Sequence, residues 1–165
     1  MEEYKKINGF ENYSVSSLGN IRNDESGKIL LCQNDKDGYK KIILYKERKP
    51  YHFRVHRLVA DAFIVNPNNR RIIDHIDNDK SHNDVDNLRW VSHTENKYNT
   101  KMQSNNKSGV KGVCWDKKRN QWKAYIKIND KVKHLGYFDE IDEARKARQN
   151  KAAEICGEYI HNCEK

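Results

Sequence analysis

The chain has 165 residues, 34% of them charged and only 36% in the apolar and aromatic set that includes cysteine. Its 32 Lys and Arg against 24 Asp and Glu leave a net charge of +8, while aromatics still make up 10%. That balance excludes both one large, deeply buried core and a disordered polyelectrolyte. Two or three small modules with thin cores, facing a polyanion such as nucleic acid, suit it better.

No apolar run approaches the ~18 residues of a membrane span, and Met1-Glu2-Glu3-Tyr4-Lys5-Lys6 does not open a secretory signal. The cysteines at 32, 114, 156 and 163 form no Cys-x-x-Cys pair, which argues against a thiolate zinc site and for a reduced, intracellular protein.

The first fifty residues read as a β-meander. Tyr13 to Ser16 alternates, Ser17-Leu18-Gly19-Asn20 turns, and Ile21-Arg22 resumes. Lys28 to Gln33, Gly38 to Lys46 and Tyr51 to Val55 follow, parted by Asn-Asp-Lys-Asp-Gly and Glu-Arg-Lys-Pro turns. The meander suits a structural platform and a DNA-contacting surface equally. Val55, Leu58, Val59, Ala62 and Phe63 then recur at helical spacing, up to Asn66-Pro67.

Ile72-Ile73 is a short strand that delivers Asp74 and His75. A loop of twelve mostly polar residues leads to a second strand, Leu88 to Val91. Ser92-x-x-Glu95 is a capping box that starts a helix at about His93, with Asn96, Asn99 and Met102 along one face. This order, strand, loop, strand, helix, can aim Asp74 and Asn96 at one point. Adjacent strand residues point to opposite faces, so Asp74 and His75 cooperate only if the strand ends or distorts there.

Beyond a polar linker at 104–108, Val110–Trp115, Trp122–Ile128 and Val132–Phe138 predict three strands. They are joined at Lys117 to Gln121 and at Asn129-Asp130-Lys131, and the unit runs on to Tyr159. Ile141, Ala144, Ala147 and Ile155 predict a helix with small residues that lies close on the sheet's apolar face. Trp122, Ala124, Ile126 and Ile128 point toward it, whereas Lys123, Tyr125 and Lys127 form a basic, aromatic plate opposite. Such a plate can enter a major groove. The expected fold class is α+β: an N-terminal β-meander over 1–53, a central unit over 54–103, and a C-terminal three-stranded antiparallel sheet packed on one helix over 109–160.

Charge is segregated along the chain. Residues 101–133 hold 10 basic side chains against 2 acidic ones, whereas Ile72–Asn99 hold 3 against 6. Hydrolysing a phosphodiester needs a deprotonated water and neutralisation of charge on the leaving oxygen. A neutral imidazole meets the first need, and a divalent cation on hard oxygens meets the second.

At Asp74-His75-x-Asp77-Asn78, Asn83, Asn87-Leu88-Arg89-Trp90-Val91 and Asn96 the sequence resembles the HNH endonuclease family, in the form found in homing endonucleases of phages and mobile introns. Val55-His56-Arg57-Leu58-Val59-Ala60-x-Ala62-Phe63 is similar to the lead-in helix of that group. The resemblance implies a ββα-metal unit that cuts DNA through one divalent ion, Mg²⁺ or Mn²⁺. It makes Asp74 and Asn96 the metal ligands, His75 the general base and Asn87 the residue that holds the loop. Asp and Asn stand where the family's name has two histidines, which weakens zinc as the metal more than it weakens nuclease activity. Arg89 and Lys97 are expected against the DNA. His82 and His93 read as solvated or phosphate-touching, and His56 and Arg57 as either near DNA or packed.

Lys111-Gly112-Val113-x-Trp115, Trp122-Lys123-Ala124-Tyr125-Ile126, Leu135-Gly136-Tyr137-Phe138, Glu143-Ala144 and Ala152-Ala153 resemble the plant Apetala-two/ethylene-response-factor DNA-binding domain. That resemblance implies reading positions at Lys111, Tyr125, Lys127 and His134, with lysines where the family has bidentate arginines. Lys123 and Trp115 join the candidate DNA contacts, though Trp115 and Trp122 also suit a core. Residues Tyr4 to Arg22 resemble the nuclease-associated modular domain that precedes HNH units.

The expectation is a metal-dependent endonuclease of double-stranded DNA, with no small-molecule cofactor and no membrane partner. No dimer seam is legible, so a monomer is expected. The alternative is a non-cleaving, sequence-specific DNA-binding regulator on the same fold.

Overall fold

Short β-branched and aromatic runs, punctuated by Asn, Asp and Gly, build small sheets rather than one large one. In the computed structural model, which describes residues 1–99, 102–128 and 131–157, the chain forms two units, one spanning Met1–Ser92 and one beginning at His93. The expected turn at Asn129-Asp130, Tyr159 and Cys163 lie outside the described residues.

The first unit opens with a four-stranded antiparallel sheet in sequential order: β1 (Tyr4–Ile7), β2 (Phe10–Ser16), β3 (Ile21–Asn23) and β4 (Ile29–Leu30). Strand β1 was not expected; only Ile7 of its four residues is buried, so its sequence carries little of a strand's alternation. The expected strand Lys28 to Gln33 is divided between two sheets. Past Leu30 the chain enters a second sheet, β5 (Gln33–Asn34), β6 (Lys40–Lys46) and β7 (Lys49–Arg54).

The β6–β7 hairpin is tighter than the sequence suggests. Glu47 and Arg48 alone turn the chain, both at positive φ, and Pro50 sits within β7 opposite Tyr45. An edge strand tolerates the missing proline N–H.

Helix α1 (Val55–Phe63) follows directly, and its Val55, Leu58 and Val59 join Ile7, Val15, Ile21, Ile42, Leu44 and Leu88 in one core. The expected boundary at 53/54 therefore separates no cores: meander and helix share one. A two-stranded ribbon, β8 (Ile72–His75) and β9 (Leu88–Val91), completes the unit, with a single helical turn at Val85–Asn87 before β9. Trp90 Nε1 donates to the Ile64 carbonyl at the end of α1, 3.1 Å, which anchors the ribbon to the helix.

In the second unit α2 (His93–Tyr98) begins where the capping box predicts but ends at Tyr98, so Met102 is not on it. Strands β10 (Val113–Asp116), β11 (Gln121–Ile128) and β12 (Lys131–Phe138) form an antiparallel sheet in that order, backed by α3 (Ile141–Cys156). Val110, Val113, Ala124 and Ala144 make one small core cluster, and Ile126 and Ala152 another, against which Tyr98 packs.

Residues 104–108 are not a free linker. Asn106 and Ser108 accept from and donate to the backbone as far as Val113, including Ser108 Oγ to Val113 O at 2.6 Å. The buried side of α3 includes Arg148 among its alanines, beside Gly112. Gly112 has φ +71°, and a Cβ there would collide with the Tyr125 carbonyl oxygen. Only glycine allows that approach.

Candidate active site

β8 ends at His75, with Asp74 opposite Arg89 and His75 opposite Leu88. The ladder runs without a register shift, so the strand stops rather than distorts at this pair. Both side chains are buried. Register places Arg89 on the same side as Asp74, and both its Nε and Nη2 donate to Asp74 Oδ2, at 3.0 and 2.8 Å. Arg89, expected against the DNA, is the carboxylate's partner.

His75 turns to Asn83, its Nε2 standing 3.2 Å from Asn83 Oδ1. The Asn83 amide is oriented by its own donation to the Ser81 carbonyl, 3.0 Å. An amide oxygen only accepts, so the proton sits on Nε2 and the lone pair on Nδ1. Burial holds the His75 imidazole below its ordinary pKa, partly offset by the Asn83 bond and by Asp77, Asp74 and Asp79. This is a neutral imidazole of defined tautomer, which is the state a general base must have.

The loop from Ile76 to Asn87 is folded around the Asn87 side chain. Asn87 Nδ2 donates to Asp77 Oδ1 (2.9 Å) and to the His82 carbonyl (2.8 Å), and Oδ1 accepts from the Asp77 N–H (3.1 Å). His82 is not a free surface histidine. Its Nδ1 lies 2.6 Å from Asp77 Oδ2, and that bond raises its pKa. Gly19 of the β2–β3 turn presses on the same loop: it has φ +80°, and a Cβ there would lie 2.9 Å from Asn83 Cβ. The neighbouring Ser17 carbonyl accepts from the Val85 N–H at 2.8 Å.

His56 is buried beside His75, whereas Arg57 is exposed and donates to the Arg71 carbonyl. Asn96, half-buried, Lys97, exposed, and His93, exposed, belong to α2 in the second unit.

The donor chemistry fits a hard divalent cation. Asp74 offers a carboxylate at a strand end, and no group of three or more His, Cys, Asp and Glu arranged for a metal occurs among the described residues. Mg²⁺ takes one or two protein oxygens and keeps its waters, whereas zinc is held by three or four ligands drawn from His, Cys and carboxylates.

The C-terminal sheet carries a separate surface. Lys123, Tyr125 and Lys127 alternate with buried Ala124 and Ile126 on β11. On β12 an extra residue, Leu135, breaks the ladder between Ala124 and Tyr125 and points into the core. Without that bulge a period of two from Phe138 would turn His134 toward α3; with it His134 opposes Tyr125 on the outer face. Tyr137 and Arg119 extend the plate, with rings of His134 and Tyr137 at 4.5 Å and Arg119 4.5 Å above Tyr137. Arg119 reads in the sequence only as a turn residue, so its place over a strand tyrosine had no signal there.

Two expected DNA contacts lie elsewhere. Trp115 opposes Trp122 and stacks edge-on against it at 5.0 Å, on the α3 side of the sheet. Lys111 Nζ donates to the Tyr98 carbonyl, 3.2 Å, within the unit.

Residues 2–45 match the NUMOD4 motif and residues 53–98 match the HNH endonuclease family. The chain is 44% identical over 91 residues to the DNA endonuclease I-HmuI of Bacillus phage SP01, a match that covers 54% of this chain and 52% of that protein. It is 42% identical over 94 residues to an uncharacterized HNH endonuclease, L245, of Acanthamoeba polyphaga mimivirus, covering 57% and 28%.

Among solved structures, the HNH homing endonuclease I-HmuI, studied in DNA binding and cleavage, superimposes with a TM-score of 0.54 at 42% identity, covering 58% of this chain and 55% of that one. The chain thus spans about half the length of I-HmuI and less of the mimivirus protein. No helix among the described residues is long and apolar enough to cross a membrane. The first 98 residues thus carry a match to the NUMOD4 motif followed by a match to the HNH endonuclease family.

Proposed function

We propose that this chain is a metal-dependent endonuclease of duplex DNA, of the homing type. The observation that carries the reading is the buried His75 imidazole, whose Nε2 is fixed on Asn83 and whose Nδ1 therefore holds the lone pair. His75 Nδ1 removes the proton of the attacking water, and Asn83 keeps the ring in its working tautomer as positive charge develops. Arg89 keeps the Asp74 carboxylate oriented.

A divalent ion, Mg²⁺ or Mn²⁺, held by Asp74 and Asn96 would neutralise charge on the phosphate and on the leaving 3′ oxygen. Asn87 maintains the loop on which Asn83 sits. On the C-terminal sheet Lys123, Tyr125, Lys127 and His134 face the duplex together, in the manner of an Apetala-two-like domain, and Lys97 lies against the backbone. A single active site in a monomer nicks one strand.

The test is cleavage of a supercoiled plasmid bearing the chain's own genomic locus, with Mg²⁺ or Mn²⁺ and with EDTA. Nicking that requires the cation and disappears in Asp74→Ala supports the reading. Binding without cutting under every metal condition would make the chain a DNA-binding regulator instead.

A further inference from the structure

His75 does not stand alone in its pocket. His56, in the first turn of α1, brings its ring to 5.1 Å from the His75 ring at an interplanar angle of 75°, edge against face. Tyr39, just after the β5–β6 turn, packs on His56 at 5.0 Å and reaches His75 at 6.0 Å. Tyr39 is itself held. Its N–H donates to Asp35 Oδ1 at 2.9 Å, Arg54 lies 4.3 Å above its ring, and Lys80 lies 4.7 Å from it. Arg54 pairs with Asp35 at 2.9 Å, and Lys80 donates to the Asp37 carbonyl at 2.9 Å. Two chain segments far apart in sequence thus converge on the imidazole.

His56 is only 5% exposed, and its Nδ1 has no hydrogen-bond partner. Burial, with His75 and Arg57 nearby, pushes its pKa down to about 3, so it carries no charge near neutrality. What it offers His75 is ring surface. An imidazole turns about its terminal torsion in a broad, roughly two-fold well, and a half-turn carries Nδ1 to the place of Cδ2 and Nε2 to the place of Cε1, which takes Nε2 off Asn83. The 3.2 Å bond to Asn83 opposes that half-turn, and so do the rings packed against the imidazole.

We propose that His56, backed by Tyr39, is a positioning residue for His75, confining the imidazole to the orientation in which Nε2 meets Asn83 and Nδ1 is the base. The proposal rests on the nuclease reading, and its test has one arm that does not. In ¹⁵N-histidine-labelled protein without metal or DNA, long-range ¹H–¹⁵N spectra report the tautomer of His75. Wild type shows Nε2–H alone, and His56→Ala shows a mixture. In cleavage assays His56→Ala lowers kcat roughly tenfold or more with KM within about twofold of wild type. His56→Phe, which restores a ring without the nitrogens, recovers the single tautomer and most of kcat. Tyr39→Ala shifts both readouts in the same direction and serves where His56→Ala does not fold.

An unmixed tautomer with wild-type kcat in His56→Ala overturns the proposal. So does a His56→Phe variant as impaired as the alanine one. A wild type that does not cut DNA refutes the nuclease reading instead, and the spectra then decide this proposal alone.

Discussion

His75 and Asp74 were legible in the sequence because residue type and spacing announce them; their partners were not. Arg89 reads as one more cation near DNA until strand register sets it opposite Asp74. Asn83 was part of the recognised pattern but had no role, since a spacing does not say which atom an amide oxygen meets. By sequence His56 suits packing and DNA contact alike, and its burial favours packing.

That burial has a consequence for stability. His56 stays neutral in the folded chain down to about pH 3, whereas an unfolded chain protonates it near 6.5. As pH falls below the ordinary histidine range, the unfolded state takes up a proton that the folded state refuses. Stability is therefore full above that range and lost as pH drops toward 3. Denaturant unfolding of wild type and His56→Phe between pH 7 and pH 4 should show the variant's stability falling less steeply. Parallel curves would assign the fall to other groups.

Among the elements, those with strong periodicity were read well: α1, the β8–β9 ribbon and the alternation of β11. The misses have physical causes. Strand β1 has almost no buried face, and the Glu47-Arg48 turn uses left-handed residues that carry no glycine signal. The bulge at Leu135 reverses a period that a sequence can only continue.

The turn between β2 and β3 was read as a turn, but its docking on the catalytic loop through Gly19 was invisible. A methyl group at Gly19 meets both an unfavourable φ and Asn83 Cβ. Gly19→Ala should therefore cost about 1–3 kcal/mol of stability and lower cleavage by disturbing the Asn83 bond to His75. Thermal melts and cleavage rates measure the two effects. A variant with wild-type values in both would mean that the loop yields freely there.

For the whole molecule, composition implies small cores, and the sheets and helix cores are indeed small. The division into units was not legible, because α1 shares its core with strands that precede it and the side chain of Tyr98 packs with the C-terminal sheet. Charge follows chemistry along the chain: acidic where a cation would bind, basic on the sheet that would lie along phosphates.

The account turns on His75 acting as the base. Its most direct test is single-turnover cleavage of the same plasmid by wild type and His75→Ala, at saturating Mn²⁺ and equal DNA occupancy. The account predicts that the variant binds DNA as wild type does and cuts it at least about a hundredfold more slowly. A His75→Ala enzyme that nicks at the wild-type rate would contradict it.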